Sequence, residues 1–196
     1  MKKIVKLLGL IGLTIIGIGA IKQYQEYKER HNSFEVARFL TNIEGKPLLV
    51  IGGPYGSPVL GFINRILPSL NLVHDCGDVC LDINSKSCNP CNTFTQGDVR
   101  SIPYTDKFFG VVYIAHVLEH LETIENLKNA LSELQRVADN VIIVIPIEFG
   151  QATHFWGHRL NLGFGDGGLL VQEIEGGRTE FIPIKNLIQT SLDITV

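Results

Sequence analysis

The sequence predicts an α/β protein: a doubly wound, mostly parallel sheet, with a hydrophobic helix at its N-terminus and a β-hairpin at its C-terminus. Three observations predict it. Leu48-Leu-Val-Ile51 and Val141 to Ile145 are short apolar runs closed by glycine or proline, the form of strands buried on both faces. Amphipathic helical patterns follow such runs, as crossovers between parallel strands require. Hydrophobic residues make up 45% of the chain and charged residues 19%, which excludes disorder and supports a buried core. The 196 residues suffice for one such core, and a net charge of -3 gives no basic field for nucleic acid.

The elements follow in order. Leu7 to Ile21 is an uncharged, mostly apolar run behind Lys2, Lys3 and Lys6. It predicts a single-pass membrane anchor, reaching the roughly 17-residue minimum if Ile4 and Val5 join it and Lys6 snorkels. A cleaved signal peptide and a buried helix are the alternatives. Lys22 to Arg30 predicts a solvated juxtamembrane helix, and His31 to Asn42 a short helix leading in, broken by Gly45-Lys46-Pro47. Leu48–Ile51 is the first strand. Pro58 to Leu67 predicts a helix with Val59, Phe62, Ile63, Ile66 and Leu67 on one face. Val79 to Ile83, Phe94 to Gln96 and Phe109 to Ala115 are further strands. Ile124, Leu127, Leu131, Leu134 and Val137 mark an amphipathic helix. Gln151 to Gly168 reads as a loop, with Phe155, Trp156 and Phe164 serving as a lid or as core. Leu169 to Glu175 and Arg178 to Ile184 flank Gly176-Gly177, a hairpin signal, and Ser191 to Val196 adds a short strand.

A parallel sheet binds ligands at the carboxyl ends of its strands, beside the switch point of strand order. Four motifs fall at such ends: Gly52-Gly53-Pro54-Tyr55-Gly56; Cys80-Leu-Asp82-Ile-Asn84; Gln96-Gly97-Asp98-Val99; and Ala115-His116-Val-Leu-Glu119-His120-Leu121. Glycines admit a cofactor close to the backbone, and a carboxylate can accept both hydroxyls of a ribose. Each motif alone is unspecific.

Together they resemble the class I S-adenosylmethionine (SAM)-dependent methyltransferases of the small-molecule type. The specific part is Gly97 to Pro146, with its sequence of GD, I-P, D, F, VLEHL, helix and R-V. The resemblance implies a seven-stranded Rossmann-like sheet and methyl transfer from SAM. It implies that Gly52, Gly53 and Gly56 pack under the methionine part and that Asp82 holds the ribose hydroxyls. Asp98 would face the adenine amino group, Val99 the adenine ring, and Ala115 to His120 would line the cofactor and acceptor side. The chain departs from the family at Val50, where an acid is usual, and at Pro54, where a glycine is usual. The helix between Asp82 and Asp98 is nearly gone.

Methyl transfer needs a base only if the nucleophile carries a proton. His116, His120 and His154 are the candidates by residue type. His116-Val-Leu-Glu119-His120 also spells a zinc-peptidase pattern, H-x-x-E-H, but it directly follows a strand, and no metal is expected there. Cys76, Cys80, Cys88 and Cys91, spaced C-x3-C-x7-C-x2-C, admit a zinc site or two disulfides. Buried or free thiols are the preferred reading, while disulfides would suit an extracytoplasmic domain.

The expectation is therefore an anchor and juxtamembrane segment over 1–30 and a methyltransferase-like domain over 31–196. Its activity would be SAM-dependent methylation of a small or lipid-linked molecule at a membrane, with the domain in the cytoplasm, where SAM is made. The alternative, motivated by Val50 and Pro54, is a catalytically inactive binding or scaffold protein of the same fold.

Overall fold

Side chains of a strand alternate between faces, and this chain has an apolar residue for both faces at almost every strand position. In the computed structural model, which describes residues 24–53, 66, 76–88, 91–146 and 157–189, that pattern becomes a central sheet covered on two sides. Its strands are β1 (Leu48–Ile51), β2 (Val79–Asp82), β3 (Phe94–Gln96), β4 (Phe109–Ala115), β5 (Ala138–Val144) and β9 (Leu187–Ile188). Their spatial order is β3-β2-β1-β4-β5-β9, and every pairing is parallel. Order reverses between β1 and β4, so the switch point lies there.

One face of the sheet presents Leu49, Ile51, Val112, Ile114, Val141 and Ile143 to helix α2 (Ile124–Val137). That helix buries Ile124, Leu127, Ala130, Leu131, Leu134 and Val137, the spacing of one helical face. Each fully buried leucine contributes about 2 kcal/mol. Thr123 caps α2 by accepting the Asn126 N–H, and the Glu173 carboxylate accepts the Ile124 N–H. The other face presents Leu48, Val50, Val111, Tyr113, Ile142 and Val144 to Phe34 and Ala37 of helix α1 (residues 24–44).

Helix α1 runs through residue 30, where the expected division lies. Arg30, Ser33, Phe34, Ala37 and Thr41 form its buried stripe, and the Tyr113 hydroxyl donates to the Arg30 carbonyl. The Lys22 to Arg30 run is thus not wholly a solvated segment, because its C-terminal end packs on the sheet. Among the described residues no helix is long and apolar enough to cross a membrane, and the Leu7 to Ile21 run lies outside them.

The C-terminal part forms a separate antiparallel sheet, β6 (Leu160–Gly165), β7 (Gly168–Glu173) and β8 (Thr179–Pro183), in that order. The hairpin around Gly176-Gly177 is β7–β8. The loop expected over Gln151 to Gly168 is corrected: β6 lies in it and pairs with β7. Leu160, Leu162, Leu169, Val171, Ile182 and Ile184 join the core that α2 shares. So the described parallel sheet has six strands rather than the seven the resemblance implies. Of the helix expected over Pro58 to Leu67 only Ile66 is described, and it is helical but exposed. The strand expected over Ser191 to Val196 lies outside the described residues.

Between β2 and β3 a disulfide-linked turn stands where a helix would. Cys76 pairs with Cys91 and Cys80 with Cys88. This corrects the reading of free thiols and removes the thiolates a zinc site would need. The two bridges bring the start of β2 and the loop before β3 together, which the short connection needs in place of helix packing.

Candidate functional site

The site grows from the ends of β1, β2 and β4 and the turn after β3. After β1, Gly52 and Gly53 adopt φ of 96° and 75°, a region that favours glycine. Both are also closely approached. A Cβ on Gly52 would lie 2.5 Å from Val117 Cγ2, and one on Gly53 would collide with the Ser87 carbonyl. Ser87 belongs to the Cys80–Cys88 turn, so the disulfide-linked turn rests directly on the glycine turn. Gly56 lies outside the described residues.

At the end of β2 the Asp82 carboxylate accepts the Asn84 N–H at 2.7 Å through one oxygen, an Asx-type turn. After β3, Asp98 grips Arg100: Nη2 lies 2.6 Å from Oδ2, Nε reaches both oxygens, and the Arg100 N–H adds 2.8 Å. The guanidinium holds the Asp98 carboxyl below its ordinary range. Val99 is buried in the core shared with α2. Beyond it, Arg136 of α2 donates to the Ile102 and Tyr104 carbonyls and to Asp106, while Glu133 accepts the Ile102 N–H. This explains the I-P, D and R-V parts of the pattern physically: they lock the 102–106 turn to α2.

After β4, His116 takes φ of 56°, uncommon for a residue with a side chain. Its Nε2 lies 3.3 Å from Glu26 of α1 and its Nδ1 lies 3.7 Å from Glu119. Leu118–His120 is a single 3-10 turn. Glu119 is 1% exposed, and neither carboxylate oxygen has a hydrogen-bond partner among the described residues. Burial raises its pKa to about 7. His158 Nε2 lies 4.0 Å from Glu119, and its ring meets that of His120 edge-on at 4.9 Å. Burial and then the neighbouring His120 lower the His158 pKa. The Arg159 N–H donates to the Glu119 carbonyl, pinning the 157–159 segment across the 3-10 turn.

Of the sequence-derived residues, Gly52, Gly53, Asp82, Asp98 and His116 come to the carboxyl ends of the strands. Val99 is placed in the core, and His154 lies outside the described residues. Sequence reasoning missed His158, and it set Glu119 in the Ala115 to His120 segment and in a peptidase pattern without foreseeing its burial. It also missed Arg100, whose place two residues after Asp98 was the available signal.

Residues 74–141 match the family model described as a methyltransferase domain. The resemblance to class I SAM-dependent methyltransferases holds. No curated protein matches the chain. Among solved structures, the YcgJ protein of Bacillus subtilis is 18% identical over 56% of this chain and 47% of its own, with a TM-score of 0.35. This chain therefore spans about half its length. A SAM-dependent methyltransferase of Methanosarcina mazei is 19% identical over 71% of this chain and 72% of its own, with a TM-score of 0.35. CalS10, an amino pentose methyltransferase of Micromonospora echinaspora solved with SAM bound, is 16% identical over 78% and 74%, with a TM-score of 0.39.

SAM is the cofactor to which the family match points. The methyltransferase-like segment fits its adenosine half. Asp82 leaves one carboxylate oxygen without a partner among the described residues, at the strand end where a ribose sits. Asp98 stands one strand further out, already charged by Arg100. The glycine turn is closed on by the Val117 side chain and the Ser87 backbone.

Proposed function

We propose that this protein is a SAM-dependent methyltransferase acting on a small molecule. The observation that carries the reading is the meeting of a positive-φ glycine pair, Asp82 and Asp98 at the carboxyl ends of adjacent strands beside the switch point. Part of that arrangement lies within the segment that matches the methyltransferase model. SAM supplies a methyl group on a sulfonium, which the acceptor's lone pair takes as the carbon–sulfur bond breaks. The protein's own part is alignment. Asp82 would hold the ribose hydroxyls, and the Gly52-Gly53 backbone would bound the methionine end. The turn from Ala115 to His120 would form the wall on the acceptor side. His116, between Glu26 and Glu119, would take a proton from an acceptor that carries one.

The Leu7 to Ile21 run supports an acceptor that is lipid-linked or held at a bilayer. Supply of SAM supports a cytoplasmic face for the domain. The Cys76–Cys91 and Cys80–Cys88 disulfides instead support an oxidising compartment, since cytosolic thiols stay reduced. Alkylation of thiols at the moment of lysis decides between the two: unmodified, oxidised cysteines would move the domain to the other side. A second reading, a binding module without catalysis, is favoured by Val50, buried where the family carries an acid.

The experiment is to incubate the full chain with SAM carrying a labelled methyl group and a panel of hydroxyl-, amine- and thiol-bearing acceptors, including lipid-linked ones. Label in one acceptor class supports the enzyme. SAM binding with no transfer to any class would favour the binding module.

A further inference from the structure

We propose that Glu119, His120 and His158 form a binding site for a divalent first-row transition metal ion of the zinc class, at the carboxyl end of β4. Each offers one ligand atom, and these atoms all lie within 4.8 Å of one another. Ligands on one zinc ion, at bonds of about 2.0–2.2 Å, sit roughly 3–4 Å apart, so a small closing movement completes the set.

The second observation is Glu119 itself. A carboxylate at 1% exposure with neither oxygen hydrogen-bonded is costly to bury unless a cation pairs with it. Glu119 lies 3.7 Å from His116 and 4.0 Å from His158, and the positive charge of the buried Arg30 offsets only part of the burial that raises its pKa. Neutral imidazole is a metal ligand and a poor countercharge.

The surrounding bonds orient the set as a metal site does. His120 Nδ1 lies 3.4 Å from the Gly157 carbonyl, the kind of outer contact that would leave Nε2 as the ligand nitrogen. The Arg159 N–H to Glu119 carbonyl bond, 2.8 Å, fixes the segment carrying His158 over the turn carrying the other two. Two imidazoles and one carboxylate suit zinc or iron(II) rather than magnesium or calcium. Three protein ligands leave a position open. On the methyl-transfer reading, on which this last clause rests, that position takes an oxygen of the acceptor.

The test uses the full chain with its disulfides intact, stripped with chelator and then titrated with zinc by calorimetry and with cobalt(II) by absorption. One equivalent should bind with a visible d–d band and no thiolate charge-transfer band. Glu119→Gln and His158→Ala should each weaken zinc at least about tenfold, and zinc should raise the melting temperature of the parent but not of Glu119→Gln. Circular dichroism reports whether each variant folds. If His158→Ala fails to fold, Glu119→Gln and the parent's cobalt spectrum decide. No binding by the folded parent, a thiolate band, or binding unchanged in folded Glu119→Gln would overturn the site. SAM is absent throughout, so failure here is separate from failure of the methyltransferase reading.

Discussion

The turn after β1 and the turn after β4 touch each other at the switch point, yet they are built in opposite ways. At Gly52-Gly53 the chain has removed side chains so that Val117 and the Ser87 backbone can press on it. At His116 to His120 it has gathered titratable side chains and buried one of them, Glu119, without a hydrogen bond among the described residues. The first turn is shaped by backbone and is intolerant of atoms. The second is shaped by titratable side chains. A methyl-transfer enzyme needs both: a close-fitting floor for the donor and a polar wall for the acceptor.

The largest effect should separate the two turns most sharply. Gly53→Val places a side chain on the Ser87 carbonyl at a positive φ, and should cost on the order of 3–4 kcal/mol or prevent folding. Denaturant melts of this variant and of Glu119→Gln should differ widely, since Glu119→Gln leaves the packing in place. A mild Gly53→Val phenotype would break the comparison.

Next comes the pH dependence of the metal-free protein. The Glu119 pKa rises from 4.5 to about 7 on folding, so the folded state keeps its proton where the unfolded state has lost it. That contribution is complete below pH 4.5, falls as pH rises toward about 7, and is gone above it. The loss is on the order of 3 kcal/mol, and Glu119→Gln should flatten it in parallel melts. Reducing both disulfides should act on the first turn only. It should lower stability by about 2–3 kcal/mol through the freed turn beneath Gly53, and leave zinc binding of the β4 turn intact. The smallest effect belongs to Arg100→Ala. Its ion pair with Asp98 is part-exposed, so its loss should barely move a thermal melt, while shifting SAM affinity by freeing Asp98.

The same contrast governs what could be read from the sequence. Strands β1, β2, β4 and β5 and helix α2 were legible because each side chain's polarity matches its burial. Helix α1 was legible only in part: Arg30, Ser33 and Thr41 are buried, so its inward stripe is half polar and apolar periodicity misses it. Strand β6 was hidden by composition. Leu160-Asn-Leu-Gly-Phe-Gly165 alternates with period two, but its glycines read as loop. The backbone turn of the site was legible through Gly52, Gly53, Asp82 and Asp98, since those residue types answer a local demand. His158 was not, because it meets Glu119 across 39 positions of sequence and no local pattern encodes that meeting. The cysteine pairing was left open by spacing alone, as nested pairs within a short segment allow several connectivities.

The most direct test of the central claim, that this switch point is a SAM site, is calorimetric titration of the folded full chain with SAM, beside the Asp82→Ala variant. The account predicts saturable binding of one SAM per chain, weakened at least about tenfold by Asp82→Ala, as expected for loss of ribose hydrogen bonds worth about 1.4 kcal/mol or more. Absence of binding at millimolar SAM, or binding indifferent to Asp82→Ala, would contradict it.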